Sequence, residues 1–466
     1  MAPSRAGAAL RRCVLLLPPL VLAVAGAGLS GYFGTKSRYE EVNPHLLRDP
    51  LSLGPDANSS LPPAACTPLQ LRAVLRHGTR YPTAGQIRRL AELHSRLLRR
   101  QPAAASSSTS YSSSAEASCP VAADLAAWQM WYEESLDGRL APQGRRDMEF
   151  LARRLAARFP ALFAARRRLE LASSSKHRCL QSSAAFREGL GSDEVEVEVN
   201  DRLMRFFDHC DKFVAWVEEN DAAVCQVDAF KEGPEMRRVL ANVASALCLP
   251  AEELNADLVQ VAFLTCSSEL TIKNVTSPWC SLFSEEDAKV LEYLNDLKQY
   301  WKRGYGYDIN SRSSCNLFQD IFQHLDKAVE ESKSSKPISS PLIVQVGHAE
   351  TLQPLLALMG FFKDSEPLQA NNYVRQLQRR FRSGRIVPYA ANLIFVLYHC
   401  EQGKTSEEEY QVQMLLNEKL MVFHHSNETI STYSALKEHY KDLLENCHFQ
   451  EECELPKTNM TAVDEL

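Results

Sequence analysis

The chain has 466 residues, 45% hydrophobic and 24% charged, with a formal net charge of −6. That is the composition of a folded protein longer than one ordinary domain, with no long charge block. Net acidity argues against nonspecific nucleic-acid binding, so a polyanionic ligand needs a local concentration of cations.

Residues 1–30 put Arg5, Arg11 and Arg12 ahead of an apolar run, Cys13 to Leu22, and a small-residue stretch, Ala23 to Ser30. This is the layout of a secretory signal peptide, with cleavage expected near Ala25-Gly26-Ala27. The run holds Pro18 and Pro19 and is short for a membrane span. No later segment is apolar enough to cross a bilayer, so no span is expected after cleavage. Removing the leader moves the net charge to −9 and leaves twelve of thirteen cysteines. An even count in an oxidising compartment predicts disulfides, and close spacing nominates Cys447–Cys453 and Cys266–Cys280. No Cys/His cluster has zinc spacing, so no metal is expected. Asn-x-Ser/Thr sequons begin at Asn58, Asn274, Asn427 and Asn459.

Residues 31–65 lack periodicity and read as an extended arm. An apolar segment, Leu69 to Leu75, reads as a buried strand, and Thr83 to Leu98 as an amphipathic helix. Between them lies Arg76-His77-Gly78-Thr79-Arg80-Tyr81-Pro82. A neutral imidazole is a nucleophile, guanidinium forks bind phosphate oxygens, and a helix start favours anions. Residues 101–118 are almost all Ala and Ser and read as a low-complexity loop. A basic helix follows, Gly144 to Phe159, then a strand, Arg168 to Ala172, that runs into Ser173-Ser174-Ser175-Lys176-His177-Arg178 and a helix, Cys179 to Gly189. From 200 to 335 the pattern is helix after helix. Strand character returns at Pro341 to Val346, which ends in Gly347-His348-Ala349-Glu350 before a helix, Thr351 to Met359. Asn392 to Tyr398 and Tyr410 to Leu416 are further strands.

Alternating strands and helices predict an α/β fold with a central sheet flanked by helices and a mostly α-helical insertion. The expected organisation is a signal peptide at 1–30, a discontinuous α/β domain of 31–199 and 336–455, a helical lid at 200–335 and a tail at 456–466. Three strands each run into a cluster of His, Arg or Glu and then a helix. In open α/β sheets ligands sit outside the carboxyl ends of the strands, so the three clusters converge in one crevice.

These motifs, with Tyr32-Phe33-Gly34-Thr35-Lys36, resemble the histidine acid phosphatase superfamily, branch 2, and within it the multiple inositol polyphosphate phosphatase subfamily. The likeness covers roughly residues 31–455. It implies that His77 becomes phosphohistidine, with Arg76, Arg80, Arg178 and His348 around the phosphoryl group. Most of that superfamily has His-Asp where this chain has His348-Ala349-Glu350, and the subfamily shares the His-Ala-Glu pattern. Glu350 is then the proton donor to the leaving oxygen, or alternatively a cap for the helix that starts there. The implied substrate is a small polyanion: inositol hexakisphosphate and lower inositol phosphates, with phosphoglycerates secondary. Candidate cations for its other phosphates are Lys36, Lys176, Arg205, Lys212, Lys302 and Arg303. Arginines replace a metal in this chemistry, so no cofactor is expected.

The last residues, Val463-Asp464-Glu465-Leu466, resemble an ER-retrieval signal read by its receptor. The expected location is the ER lumen, with a secreted or surface fraction. Three rival readings are a general secretory-pathway acid phosphatase of the same fold, a phosphoglycerate-mutase-like transferase and a catalytically silent luminal binding module.

Overall fold

The computed structural model describes residues 28–54, 66–100, 119–164, 168–192, 194–401 and 409–456. Residues 1–27 of the expected signal peptide, the Ala/Ser segment 101–118, the tail from residue 457, Asn58 and Asn459 lie outside the described residues.

The frame is an eight-stranded mixed sheet: β1 (Cys66–Arg76), β2 (Leu169–Ser173), β3 (Val197–Val199), β4 (Leu342–Gly347), β5 (Asn392–Cys400), β6 (Tyr410–Leu416), β7 (Lys419–Leu420) and β8 (Ile430–Thr432). The spatial order is β3-β2-β4-β1-β5-β6-β7, with β8 beside β6. The pairs β2–β3, β2–β4 and β1–β4 are parallel, and β5 onward runs antiparallel. The strands are apolar runs, not alternating ones, because both faces are covered. Leu71, Ala73, Leu75, Ile394 and Val396 pack against the helices Pro142–Arg158 and His177–Gly189. Val74, Leu393, Phe395 and Leu397 face the helical region, whose longest helices are Glu285–Arg303 and Cys315–Lys333. Burying each such side chain contributes roughly 1.5–3 kcal/mol.

All five principal predicted strands are present, as are the helices at their ends. Two expectations need correction. The arm is not extended over 31–54 but folds into four short 3₁₀ turns, and it buries Phe33 against Phe263. Gly34 makes this possible: its φ is +54°, and a Cβ there would lie 2.2 Å from Asn295 Oδ1. Cys447 and Cys453 do not pair with each other. They bracket the short helix Phe449–Cys453 and reach outward to Cys315 and Cys210, so the C-terminal segment is tied to the helical region twice. Cys266–Cys280 forms as expected, with Cys66–Cys400 between β1 and β5 and Cys119–Cys248 besides. Cys179 and Cys225 remain as thiols. Five disulfides, with no helix among the described residues long and apolar enough to cross a membrane, fit a secreted or luminal chain. Asn274 and Asn427 are both exposed.

Candidate active site

Sheet register puts the three clusters side by side. Arg76 of β1 is level with Gly347 of β4, and Ser173 of β2 with Val346. The ladder continues one residue further: His77 N–H donates to the Gly347 carbonyl at 3.0 Å, and Ser174 N–H to that of Val346 at 3.0 Å. Because β4 lies between β2 and β1, His348 sits between Ser174 and His77, its ring centroid 5.7 Å from that of His77. Gly78 is required by close approach, since a Cβ would lie 2.2 Å from the Gly144 carbonyl oxygen. That contact seats the motif on the first turn of the Pro142–Arg158 helix, where the Asp147 carboxylate accepts from Thr79 N–H at 3.0 Å and its hydroxyl at 2.7 Å.

His77 is buried, and its Nδ1 lies 2.8 Å from the Gly78 carbonyl oxygen. A carbonyl only accepts, so Nδ1 carries the proton and Nε2 keeps its lone pair. Burial, then the charges of Arg76 and Arg178, hold the His77 pKa well below its ordinary value. The ring therefore stays neutral in acid and remains a nucleophile.

Among the described residues, no carboxylate forms an ion pair with Arg76, Arg80, Arg178 or Lys36, and Glu350 acts on Arg76, Arg178 and Lys36 only through its field. Arg76 Nη1 donates to the carbonyls of Thr35 at 2.7 Å and Val387 at 2.5 Å, and its guanidinium lies 4.6 Å from the Tyr389 ring centroid. Its Nε has no hydrogen-bond partner among the described residues, and burial brings its pKa down to about 10. Arg80 and Arg178 converge over Gly138: a Cβ there would lie 4.0 and 3.7 Å from their Nη1 atoms. Lys36 lies 5.9 Å from the Tyr389 ring centroid, its pKa driven well down by burial and by Arg80 and Arg76. The arm thus contributes twice, through the Thr35 carbonyl and the Lys36 ammonium.

His348 accepts at Nδ1 from Arg178 Nη2, 3.2 Å away, and its Nε2 lies 2.9 Å from Ser174 Oγ. Burial and Arg178 push its pKa down to about 3. Glu350 occupies the first turn of the helix Ala349–Leu358. Burial alone would raise its pKa, but the Arg303 and Arg76 charges and a backbone N–H hold it well below the carboxylate range. In that first turn Thr351 Oγ1 accepts from His348 N–H at 2.9 Å, and the Glu350 carboxylate accepts from its own backbone N–H.

The outer cations divide. Arg303 faces Glu350 but also donates to Glu218 at 2.7 Å, and Lys302 donates to the Glu218 carbonyl at 3.2 Å. Arg205 pairs with Asp208 and contributes to the field at His348. Lys176 is exposed at the start of its helix, and Lys212 lies 5.5 Å from the Trp216 ring centroid. Lys176 touches the cluster only through its backbone N–H, which donates to Ser174 Oγ at 3.2 Å. Tyr389, Ser174 and Cys179 are site residues that sequence reasoning did not single out. Ser174 stood inside a quoted motif, whereas nothing local marks Tyr389.

Residues 69–417 match the sequence profile of the histidine phosphatase superfamily (branch 2). The chain is 79% identical to multiple inositol polyphosphate phosphatase 1 of Gallus gallus, over 100% of both chains. It is 57% identical to that of Homo sapiens, over 98% of this chain and 95% of the relative. The phytase from D. castellii superposes with a TM-score of 0.68 at 16% identity, over 92% of this chain and 87% of that one. The multiple inositol polyphosphate phosphatase of Bifidobacterium longum, solved in complex with inositol hexasulfate, does so at 0.66 and 15% identity, over 87% and 96%. These two share the fold. An imidazole with a free Nε2 inside a ring of unpaired cations, on this sheet and with these relatives, means that the chain belongs to the histidine phosphatase superfamily, branch 2, in its multiple inositol polyphosphate phosphatase family.

Proposed function

We propose that the chain is a phosphomonoesterase that hydrolyses inositol polyphosphates, the hexakisphosphate and lower, with phosphoglycerates as secondary substrates. The observation that carries this reading is the neutral His77, its Nε2 lone pair free among cations that no carboxylate pairs. In the first step Nε2 attacks phosphorus in line, the P–O bond to the ring breaks, and Glu350 gives its proton to the departing oxygen. In the second, water attacks phosphohistidine, Glu350 takes its proton, and the N–P bond breaks to release orthophosphate. Arg76, Arg80, Arg178 and His348 hold the phosphoryl oxygens, so positioning and preorganised charge supply most of the rate. Before substrate binds, the charges of Arg303 and Arg76 keep Glu350 ionised. A bound phosphate cancels the field of the surrounding cations, which lets Glu350 acquire the proton it must deliver.

Among the outer cations, Lys36, Arg205 and Arg303 are placed to meet further phosphates, and residues 200–335 form the lid that carries the last two. No cofactor enters this chemistry, so turnover is expected to survive EDTA. Loss on chelation, restored by a divalent ion, would overturn that part. The test of the whole reading is orthophosphate release and product profiling on inositol hexakisphosphate by the wild type and His77→Ala. Release by the wild type alone supports it, and transfer to another acceptor favours the mutase reading. The tail Val463 to Leu466 is proposed to engage the ER-retrieval receptor, and deleting it should move the protein to the medium.

A further inference from the structure

A cavity of about 750 Å³ shares no lining residue with the strand-end cluster. Its size falls within the roughly 300–1,000 Å³ of small-molecule sites. It lies where the arm, the stretch from Arg380 to Arg385 and the β6–β7 hairpin meet, and Phe361-Phe362, just past the helix Ala349–Leu358, closes the remaining side.

Most of the wall is apolar: Val42, Phe361, Phe362, Leu420, Met421 and Phe423 supply it. Val422 lines the cavity too, and it is 45% exposed. Phe362 holds a φ of +60°, a left-handed backbone that a bulky side chain rarely adopts. Backbone strain of this kind gathers where ligands are clamped. The charges set into this wall are mostly positive. Arg380, Arg385 and Lys419 line it, with Glu41 the one acid among the lining residues. Glu41 is already engaged, since its carboxylate accepts from Arg38 Nε at 2.6 Å and from Ser30 Oγ at 2.9 Å. Lys419 Nζ donates to the Val42 carbonyl, which leaves its charge uncancelled. Among the described residues no carboxylate forms an ion pair with Arg380 or Arg385, and Glu292 acts on Arg385 only through its field. The His424 imidazole, its ring centroid 4.5 Å from that of Phe361, adds a polar group beside the apolar wall.

We propose that this cavity binds an amphiphilic organic anion, its head group held by Arg380 and Arg385 and its apolar body laid against Phe361, Phe362 and Met421. A purely apolar ligand would leave two guanidiniums without a counter-ion, at the cost of desolvating them. A bare inorganic anion would leave the aromatic wall in water. One molecule with both halves meets both demands. Asn427 stands at the rim, but the core sugars of an N-glycan carry no charge to answer the arginines. The site does not depend on the phosphatase reading.

Octyl sulfate, kept below its micelle concentration, is the probe, because it carries no phosphate for the enzyme to remove. Isothermal titration calorimetry should find one molecule bound per chain. Arg380→Gln combined with Arg385→Gln should weaken binding about tenfold or more, through the loss of two charge-assisted bonds. Both side chains are exposed, so melting temperature and orthophosphate release should match the wild type. Sodium sulfate and octyl glucoside each carry one half of the probe, and each should bind at least about tenfold more weakly. Arg76→Gln should leave the affinity unchanged, which separates this site from the crevice. Equal affinity in the wild type and the Arg380/Arg385 double variant, or affinity lost in Arg76→Gln, would overturn the proposal. So would octyl glucoside binding as tightly as octyl sulfate, which gives the cavity to a neutral apolar ligand. A site that opens only after endoglycosidase treatment belongs to the Asn427 glycan, and a dimer that dissociates as the probe binds makes a second copy the occupant. Either result also overturns it.

Discussion

Two regions of the molecule bury arginines and neutralise them in different ways. Where the Glu285–Arg303 helix meets the segment 376–383, Arg379 donates to Asp296 at 2.9 and 2.5 Å and to Glu292 at 3.0 Å. Burial there lowers the Arg379 pKa, yet the two carboxylates more than restore it. At the strand ends Arg76 is buried as deeply, but it donates to two carbonyls, stacks on Tyr389 and has only the outlying Glu350 to balance Arg76, Arg178 and Lys36. A backbone carbonyl satisfies a donor's geometry without cancelling its charge. The helical region therefore closes its electrostatics internally, whereas the crevice leaves that to an incoming anion. This difference separates a structural arginine cluster from a binding one, and counting arginines in the sequence cannot make it.

The comparison breaks most sharply at the nucleophile. His77→Ala should lower kcat by at least about 10⁴-fold, as when other covalent nucleophiles are removed, while thermal stability is kept. The two arginines should then respond in opposite ways. Arg76→Gln removes one preorganised donor and should cost about 10²–10³ in kcat/KM, with a melting temperature equal to the wild type or higher. Arg379→Gln leaves buried Asp296 without its ion partner, while Glu292 keeps Arg382, and should cost about 3–5 kcal/mol of stability, with kcat/KM of the folded protein within a few-fold of wild type. Equal stability losses for both would contradict the distinction. In Glu350→Gln, an alkyl phosphate should lose about 10²–10⁴ in rate and nitrophenyl phosphate far less, because its leaving group needs little protonation. If both lose equally little, Glu350 is not the donor. The smallest effect is expected for Arg303→Gln. Arg303 is the largest influence lowering the Glu350 pKa, so its removal lets Glu350 bind its proton at higher pH. The limb of kcat that reports the protonated donor should move upward, with KM for polyphosphates rising several-fold and kcat at acid pH little changed.

Much of the frame was legible in the sequence because fully buried strands read as apolar runs and each functional cluster sits at the end of one. The convergence of His77, His348 and Arg178 followed from a rule about strand ends. What escaped depends on tertiary placement. The arm reads as irregular because 3₁₀ turns have no hydrophobic period, so the route by which Thr35 seats Arg76 was hidden. Tyr389 lies in a loop before β5 with no local signature. Disulfide pairing failed at Cys447 and Cys453 because nearness in sequence does not decide which partners the helical region brings close.

The central claim is that the phosphoryl group passes through Nε2 of His77. Rapid quenching after mixing with phosphorus-32-labelled inositol hexakisphosphate, followed by peptide mapping, tests it directly. The account predicts an acid-labile, base-stable label on the peptide containing His77, formed and lost at rates matching turnover and absent in His77→Ala. Full orthophosphate release by the wild type with no label on that histidine, or a label on His348, would contradict it.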